Sequence, residues 1–176
     1  AAAATWPIGA AWQANLGAIR QASAELGDTA GSLTAAAGLA AAESHFRAAL
    51  SAAPGQRSAN LRLALMLMSG GRYADALPHA SAAWKADRGS LTTRKALGLA
   101  YVWNGDLSRA EPLLRSVPGI VEELNTWGWW RTSRQEPGLA LLAYRMSLLL
   151  DPHQDHVRRA TLELERTYRS PARPAR

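Results

Sequence analysis

Two groups of residues could do chemistry. Asp151-Pro152-His153-Gln154-Asp155-His156 sets two imidazoles three residues apart beside two carboxylates. Such donors bind zinc or another divalent cation when a further fixed ligand and an outer shell hold them in place. The sequence supplies neither, so the expectation is a solvated turn with no metal and no cofactor. The second group is Trp127-Gly128-Trp129-Trp130, with Trp103 further upstream. Exposed indoles can anchor a peptide or stack on a sugar ring. No nucleophile elbow, Walker loop, dinucleotide fingerprint or zinc-protease helix occurs, and Ser, His and Asp show no triad-like spacing. The chain reads as a non-enzyme.

Charge and composition narrow the partners. The net charge is +6, carried almost entirely by arginine, since Lys85 and Lys95 are the lysines. The basic residues form no continuous run and no RNA-binding module, so nucleic acid is not expected. Absence of cysteine excludes disulfides and thiol chemistry and leaves the redox compartment open. No stretch approaches the roughly 18 apolar residues that span a bilayer; LALLAYRMSLLL from Leu139 is short and holds Arg145. The chain begins AAAATW without methionine. A signal or membrane segment before Ala1 would leave no trace here, and a membrane association is expected only through such a tether.

The elements that position these residues repeat. Residues 57–88 align with the stretch from Leu91 at a constant offset of 34: Leu63 on Leu97, Ala64 on Gly98, Leu67 on Tyr101, Gly71 on Gly105, Ala76 on Ala110. A period in this range marks stacked supersecondary units. In the first copy Leu61, Leu65 and Met68 fall at i, i+4 and i+7, with Leu63 and Leu67 widening the apolar stripe. The run ends at Ser69-Gly70-Gly71, where glycine leaves the helical region at little cost. A second helix follows, burying Tyr73, Ala76, Leu77, Ala80, Ala83 and Trp84.

This pattern resembles the tetratricopeptide repeat, in which a small residue in the first helix is followed by small or aromatic residues along the second and a proline at its end. Ala42, Phe46, Ala49 and Pro54 give an earlier match; Gly128, Ala140, Tyr144, Ser147 and Pro152 give a later one. Gly98 to Gly128 spans only 30 residues, because Pro118-Gly119 ends the preceding helix early. The resemblance covers roughly residues 28–152. It implies an all-α, right-handed α-solenoid of three to four helix pairs. The expected organisation is an N-terminal helical segment over 1–27, the repeat array over 28–152, a capping helix over 153–169 and a disordered basic tail over 170–176.

Within that frame residues 1–9 should be irregular and Ala10–Leu26 helical, as the displaced first helix of the first pair. Gly27 to Ser32 reads as a break, with a second helix from about Leu33 to Ala53 that Ser32 could cap. Asp106 and Ser108 are placed to satisfy amides at the start of the next-to-last pair's second helix, and Pro137 to begin the last repeat helix. A final polar helix should run to about Tyr168.

The resemblance also implies a partner and a surface. Such arrays hold a segment of another protein along their first helices. The matching positions are Leu61, Leu65, Met68 and Ser69; Lys95, Leu99, Val102 and Trp103; Asn125, Trp129, Thr132 and Ser133; and Arg159 and Arg166 on the cap. Trp127 falls at a position that packs between the two helices. The family's carboxylate-clamp residues are replaced here by Leu and Met at several places, which argues against that ligand class. A second, looser similarity is to the soluble repeat tail of bacterial O-antigen ligase or polymerase-like membrane proteins, through ANLGAIRQASAELG and WGWW. It implies an extracytoplasmic or membrane-associated setting in bacterial cell-envelope polysaccharide assembly, with glycan contact through tryptophan.

Overall fold

The computed structural model describes residues 8–26 and 31–169. Among the described residues the structure is nine α-helices with no strand: α1 (Ile8–Leu26), α2 (Gly31–Ala52), α3 (Arg57–Ser69), α4 (Tyr73–Ala86), α5 (Leu91–Trp103), α6 (Leu107–Leu114), α7 (Ile120–Ser133), α8 (Pro137–Leu150) and α9 (Asp155–Arg169). Contacts divide the chain inside α5 into two compact units, Ala1–Ala96 and Leu97–Arg176. In the first, α1 packs on α2 and α3 on α4; in the second, α8 lies against α6, α7 and α9. Being covered on several sides, α8 is apolar around most of its circumference, which accounts for its membrane-like sequence. No helix is long and apolar enough to cross a membrane among the described residues.

Three of the pairs close where a glycine on the first helix admits a larger residue from the second. A Cβ added to Gly98 would stand 2.5 Å from Leu114, and one on Gly128 would stand 2.3 Å from the Tyr144 ring. Gly17 holds the same relation to Phe46, at 2.7 Å. Gly98 and Gly128 each lie 16 residues before their partner, whereas Gly17 lies 29 before Phe46. The extra length sits in α1 and α2, 19 and 22 residues long. A fixed sequence spacing therefore misses Gly17, while α1 is indeed the displaced first helix of the first pair. In the pair α3–α4 the corresponding positions, Ala64 and Ala80, are both buried alanines.

The turns repeat as faithfully. After α3, Arg72 N–H donates to Leu67 O (2.8 Å) and Gly71 N–H to Met68 O (3.1 Å), with Gly71 at φ +74°. After α5 the same two bonds run from Asp106 to Tyr101 and from Gly105 to Val102, with Gly105 at φ +80°. After α7 they run from Glu136 to Arg131 and from Gln135 to Thr132. Gln135 takes the left-handed conformation there, φ +59°, without being glycine. These are Schellman closures, which satisfy carbonyls left open at a helix end. The shortened interval appears directly: α6 has 8 residues against 14 in α4, and Gly119, at φ +69°, starts α7.

Buried polar side chains lock the links between pairs. Asn60 Nδ2 donates to Pro54 O (2.8 Å) and Gln56 O (3.1 Å), while its Oδ1 meets His79 Nδ1 (3.0 Å). Thr93 Oγ1 donates to Asp87 O (2.7 Å) and Ser90 O (3.1 Å). Gln154 Nε2 donates to Asp151 O (2.8 Å) and to the Ser147 hydroxyl (3.0 Å). In each case a polar side chain at or just before the start of a helix ties that helix to the preceding loop.

Three local expectations need adjusting. Ile8 and Gly9 belong to α1 rather than to an irregular lead. Gly31 and Ser32 already lie within α2, where an initial glycine weakens a helix little, so Ser32 is not ahead of the helix. At α6 Asp106 Oδ1 accepts from Arg109 N–H (3.0 Å), but Ser108 donates to that carboxylate instead of capping an amide. Residues 1–7, 27–30 and the expected basic tail, 170–176, lie outside the described residues.

Candidate binding surfaces

The positions expected to line a partner groove fall into distinct environments. On α3, Leu65 is exposed, Leu61 half-buried, Ser69 exposed and Met68 buried. On α5, Lys95 is half-buried, while Leu99, Val102 and Trp103 are buried; Val102 has no exposed surface and Trp103 keeps 8%. On α7, Trp129 is 66% exposed, with Thr132 and Ser133 also exposed and Asn125 half-buried. Arg159 and Arg166 are exposed on α9.

Several of these side chains already have work inside the fold. Asn125 Nδ2 donates to Gln154 Oε1 at 2.6 Å, which ties the middle of α7 to the residue just before α9. Thr132 Oγ1 donates to Gly128 O (2.8 Å) and also reaches the Tyr144 hydroxyl. Ser133 Oγ donates to Trp130 O (2.8 Å).

The tryptophans sort differently from their expected roles. Trp127 is not core: it is 36% exposed, and Trp130 37%. Trp103 is the enclosed ring. Trp127 meets Trp103 edge-on with centroids 6.1 Å apart, and Trp130 likewise at 5.5 Å. Arg131 lies among all three, its guanidinium 5.6, 5.8 and 4.8 Å from the centroids of Trp103, Trp127 and Trp130. Glu136 accepts from Arg131 at 2.5 Å and pairs with Arg134 at 3.5 Å. Hydrogen bonding from Arg131, before that from Arg134, holds the Glu136 carboxyl below its ordinary range. Arg131 was not singled out from sequence. Its signal, an arginine four residues after a tryptophan on one helix, is present but common.

Unit one carries a cleft that sequence reasoning also missed. Leu39, Ala40 and Glu43 of α2 face Met66, Leu67, Ser69 and Gly70 of α3 across about 520 Å³, with Arg72 at the rim. Glu43 accepts from Arg47 (2.7 Å) and Arg72 (3.0 Å), and Arg72 also pairs with Asp75 (3.0 Å). The Arg47 bond foremost keeps Glu43 ionised below the usual carboxylate range, against its partial burial. His153 and His156 are exposed, and Asp151 Oδ1 accepts from His153 N–H (2.9 Å) in a tight turn. No three metal-ligating side chains converge among the described residues.

A tetratricopeptide repeat family profile matches residues 67–122, the stretch containing two of the glycine-closed turns and the Gly98–Leu114 contact. That stretch, residues 67–122, carries the tetratricopeptide repeat pattern. Among solved structures, the chain is similar to the crystal structure of MamA protein, at 15% sequence identity with a TM-score of 0.53, covering 90% of this chain and 82% of that one. At that identity the likeness is one of fold: an all-α repeat solenoid. No curated protein matches the chain. Tetratricopeptide repeats are generally non-catalytic and typically bind other proteins.

Proposed function

We propose that the chain is a non-enzymatic scaffold that captures a segment of another protein across α7 and α9. The observation that carries this reading is Trp129. Its ring is two-thirds exposed on a first helix, one turn from the Asn125–Gln154 anchor, with the exposed arginines Arg159 and Arg166 on the neighbouring first helix. A large rigid ring beside guanidinium groups, on a face already fixed by internal hydrogen bonds, resembles the residues that dominate interface energies. Arg159 and Arg166 are seven apart, so both fall on one side of α9 and suit a segment bearing carboxylates. Leu65 on α3 offers a separate apolar contact in the first unit.

The test is selection of a random-peptide display library on the immobilised chain. Trp129→Ala should weaken the enriched peptides by about 30-fold, the equivalent of about 2 kcal/mol, with an unchanged melt. Unaltered binding would remove Trp129 from the site. Quenching of tryptophan fluorescence by oligosaccharides, with no response to the selected peptides, would favour glycan contact and the envelope setting instead.

A further inference from the structure

Asparagine loses its side-chain amide without an enzyme when the next backbone nitrogen reaches its Cγ. That nitrogen gives its proton to base and bonds to Cγ; the Cγ–Nδ2 bond breaks, and the amide group takes up a proton and leaves as ammonia. Water then opens the cyclic imide on either side of its nitrogen, giving aspartate or isoaspartate. A side chain on the following residue hinders the attack, and glycine has none. Asn104-Gly105 is the chain's single pair of this kind; Asn15, Asn60 and Asn125 precede Leu16, Leu61 and Thr126. Those others lie inside α1, α3 and α7, whereas Asn104 and Gly105 are exposed in the turn between α5 and α6.

The folded turn keeps the reacting groups apart. Asn104 Nδ2 donates to Ala100 O (2.7 Å), which aims the amide back along α5, away from the nitrogen that follows it. Gly105 N–H donates to Val102 O (2.9 Å), so loss of its proton would set a negative nitrogen against a carbonyl oxygen. We propose that Asn104 is a gated deamidation site: silent while the closure of α5 holds, converted when it opens, and unable to restore the turn once converted. The last property follows from the same bonds. Aspartate at 104 would turn a carboxylate oxygen toward Ala100 O, acceptor against acceptor, at a helix end whose dipole disfavours negative charge. Isoaspartate would lengthen the backbone between the partners of both closing bonds, Asp106 N–H to Tyr101 O and Gly105 N–H to Val102 O. The next helix depends on this turn. Asp106 caps α6 through Arg109 N–H (3.0 Å), and Leu114 at the end of α6 covers Gly98.

The folded chain and the chain in urea are incubated side by side at mildly alkaline pH, and acid formation at each asparagine is followed by peptide mass spectrometry. In urea, conversion should fall on Asn104 well ahead of Asn15, Asn60 and Asn125. In the folded chain Asn104 should convert at least about tenfold more slowly, corresponding to an opening free energy of about 1.4 kcal/mol or more. Asp106→Ala removes the α6 cap but leaves the Asn104-Gly105 pair intact. It should speed conversion in the folded chain and leave the rate in urea unchanged. Asn104→Asp should lower the melting temperature. Equal rates at Asn104 in the folded chain and in urea overturn the proposal, as does a folded-state rate that Asp106→Ala does not raise. An Asn104→Asp melt equal to that of the parent overturns the claim that conversion is one-way for the turn. If Asp106→Ala does not fold, the comparison of the parent chain with and without urea decides the gate alone.

Discussion

Glycine inside a helix ordinarily costs about 1 kcal/mol relative to alanine, and this chain keeps it where a larger partner needs the space. Gly128 faces the Tyr144 ring, and an added methyl would have to displace a buried side chain. Gly138, in the first turn of α8, has open space around its missing Cβ. Gly128→Ala should therefore destabilise by about 1–2 kcal/mol, an overpacking cost of about 1–3 partly offset by the propensity gain. Gly138→Ala should stabilise by about 0.4–1 kcal/mol. Urea denaturation of the two variants should move in opposite directions, and a shift of the same sign in both would contradict the packing argument. His79 gives a second prediction at this scale. Burial, chiefly, and then the Arg47 charge push its folded pKa below 6.5, against weaker opposing effects of Asp75 and Glu43. The unfolded chain binds a proton on this residue more readily, so stability rises with pH across the window between the folded pKa and about 6.5. The contribution is complete above that window, and it falls away as pH drops through the folded pKa. His79→Gln should flatten this part of a melting-temperature profile between about pH 5 and 7; an unchanged slope would show that His79 is not responsible.

At the scale of elements, the three Schellman closures carry the clearest consequence. Two use glycine in the left-handed region and the third uses Gln135. A side chain there costs about 1–2 kcal/mol that glycine avoids, though glycine is also freer in the unfolded chain. Gln135→Gly should raise the melting temperature, and Gly105→Ala should lower it by the converse argument. Thermal melts of both variants check this; a fall for Gln135→Gly would mean that its side chain stabilises the turn by more than the strain costs. The same turns explain why the register was readable. Gly71 and Gly105 announce themselves by type, whereas Gln135 performs the same role without a signature, and the shortened interval to it was visible only through Pro118-Gly119.

For the molecule as a whole, stability in repeat proteins is approximately a sum of local terms and contacts between neighbouring repeats. Phe46 and Tyr144 fill the equivalent pocket in different units. Phe46→Leu and Tyr144→Leu should each destabilise by about 1–3 kcal/mol, and the double variant should cost their sum within about 0.5 kcal/mol. A coupling larger than that, measured by denaturant titration, would show that the two pockets are not independent.

What the sequence by itself determined is what local interactions enforce. Helix periodicity, glycine at Schellman turns, Pro137 at a helix start and the 34-residue period are encoded within a few residues of where they act, so the helix pairs and their order were legible from Leu33 onward. Even Gly17 could have been found by asking which glycine lies opposite Phe46, had the length of α1 and α2 been known. The fates of Trp103, Trp127 and Trp129 were not legible. Three tryptophans within four residues occupy several faces of α7, and no local rule says which face a neighbouring helix will cover. Only the assembled helices decided that Trp103 is enclosed, that Arg131 sits among the rings, and that Trp129 stands open to solvent. Burial of a side chain depends on partners distant in sequence, whereas its helical phase depends only on its neighbours.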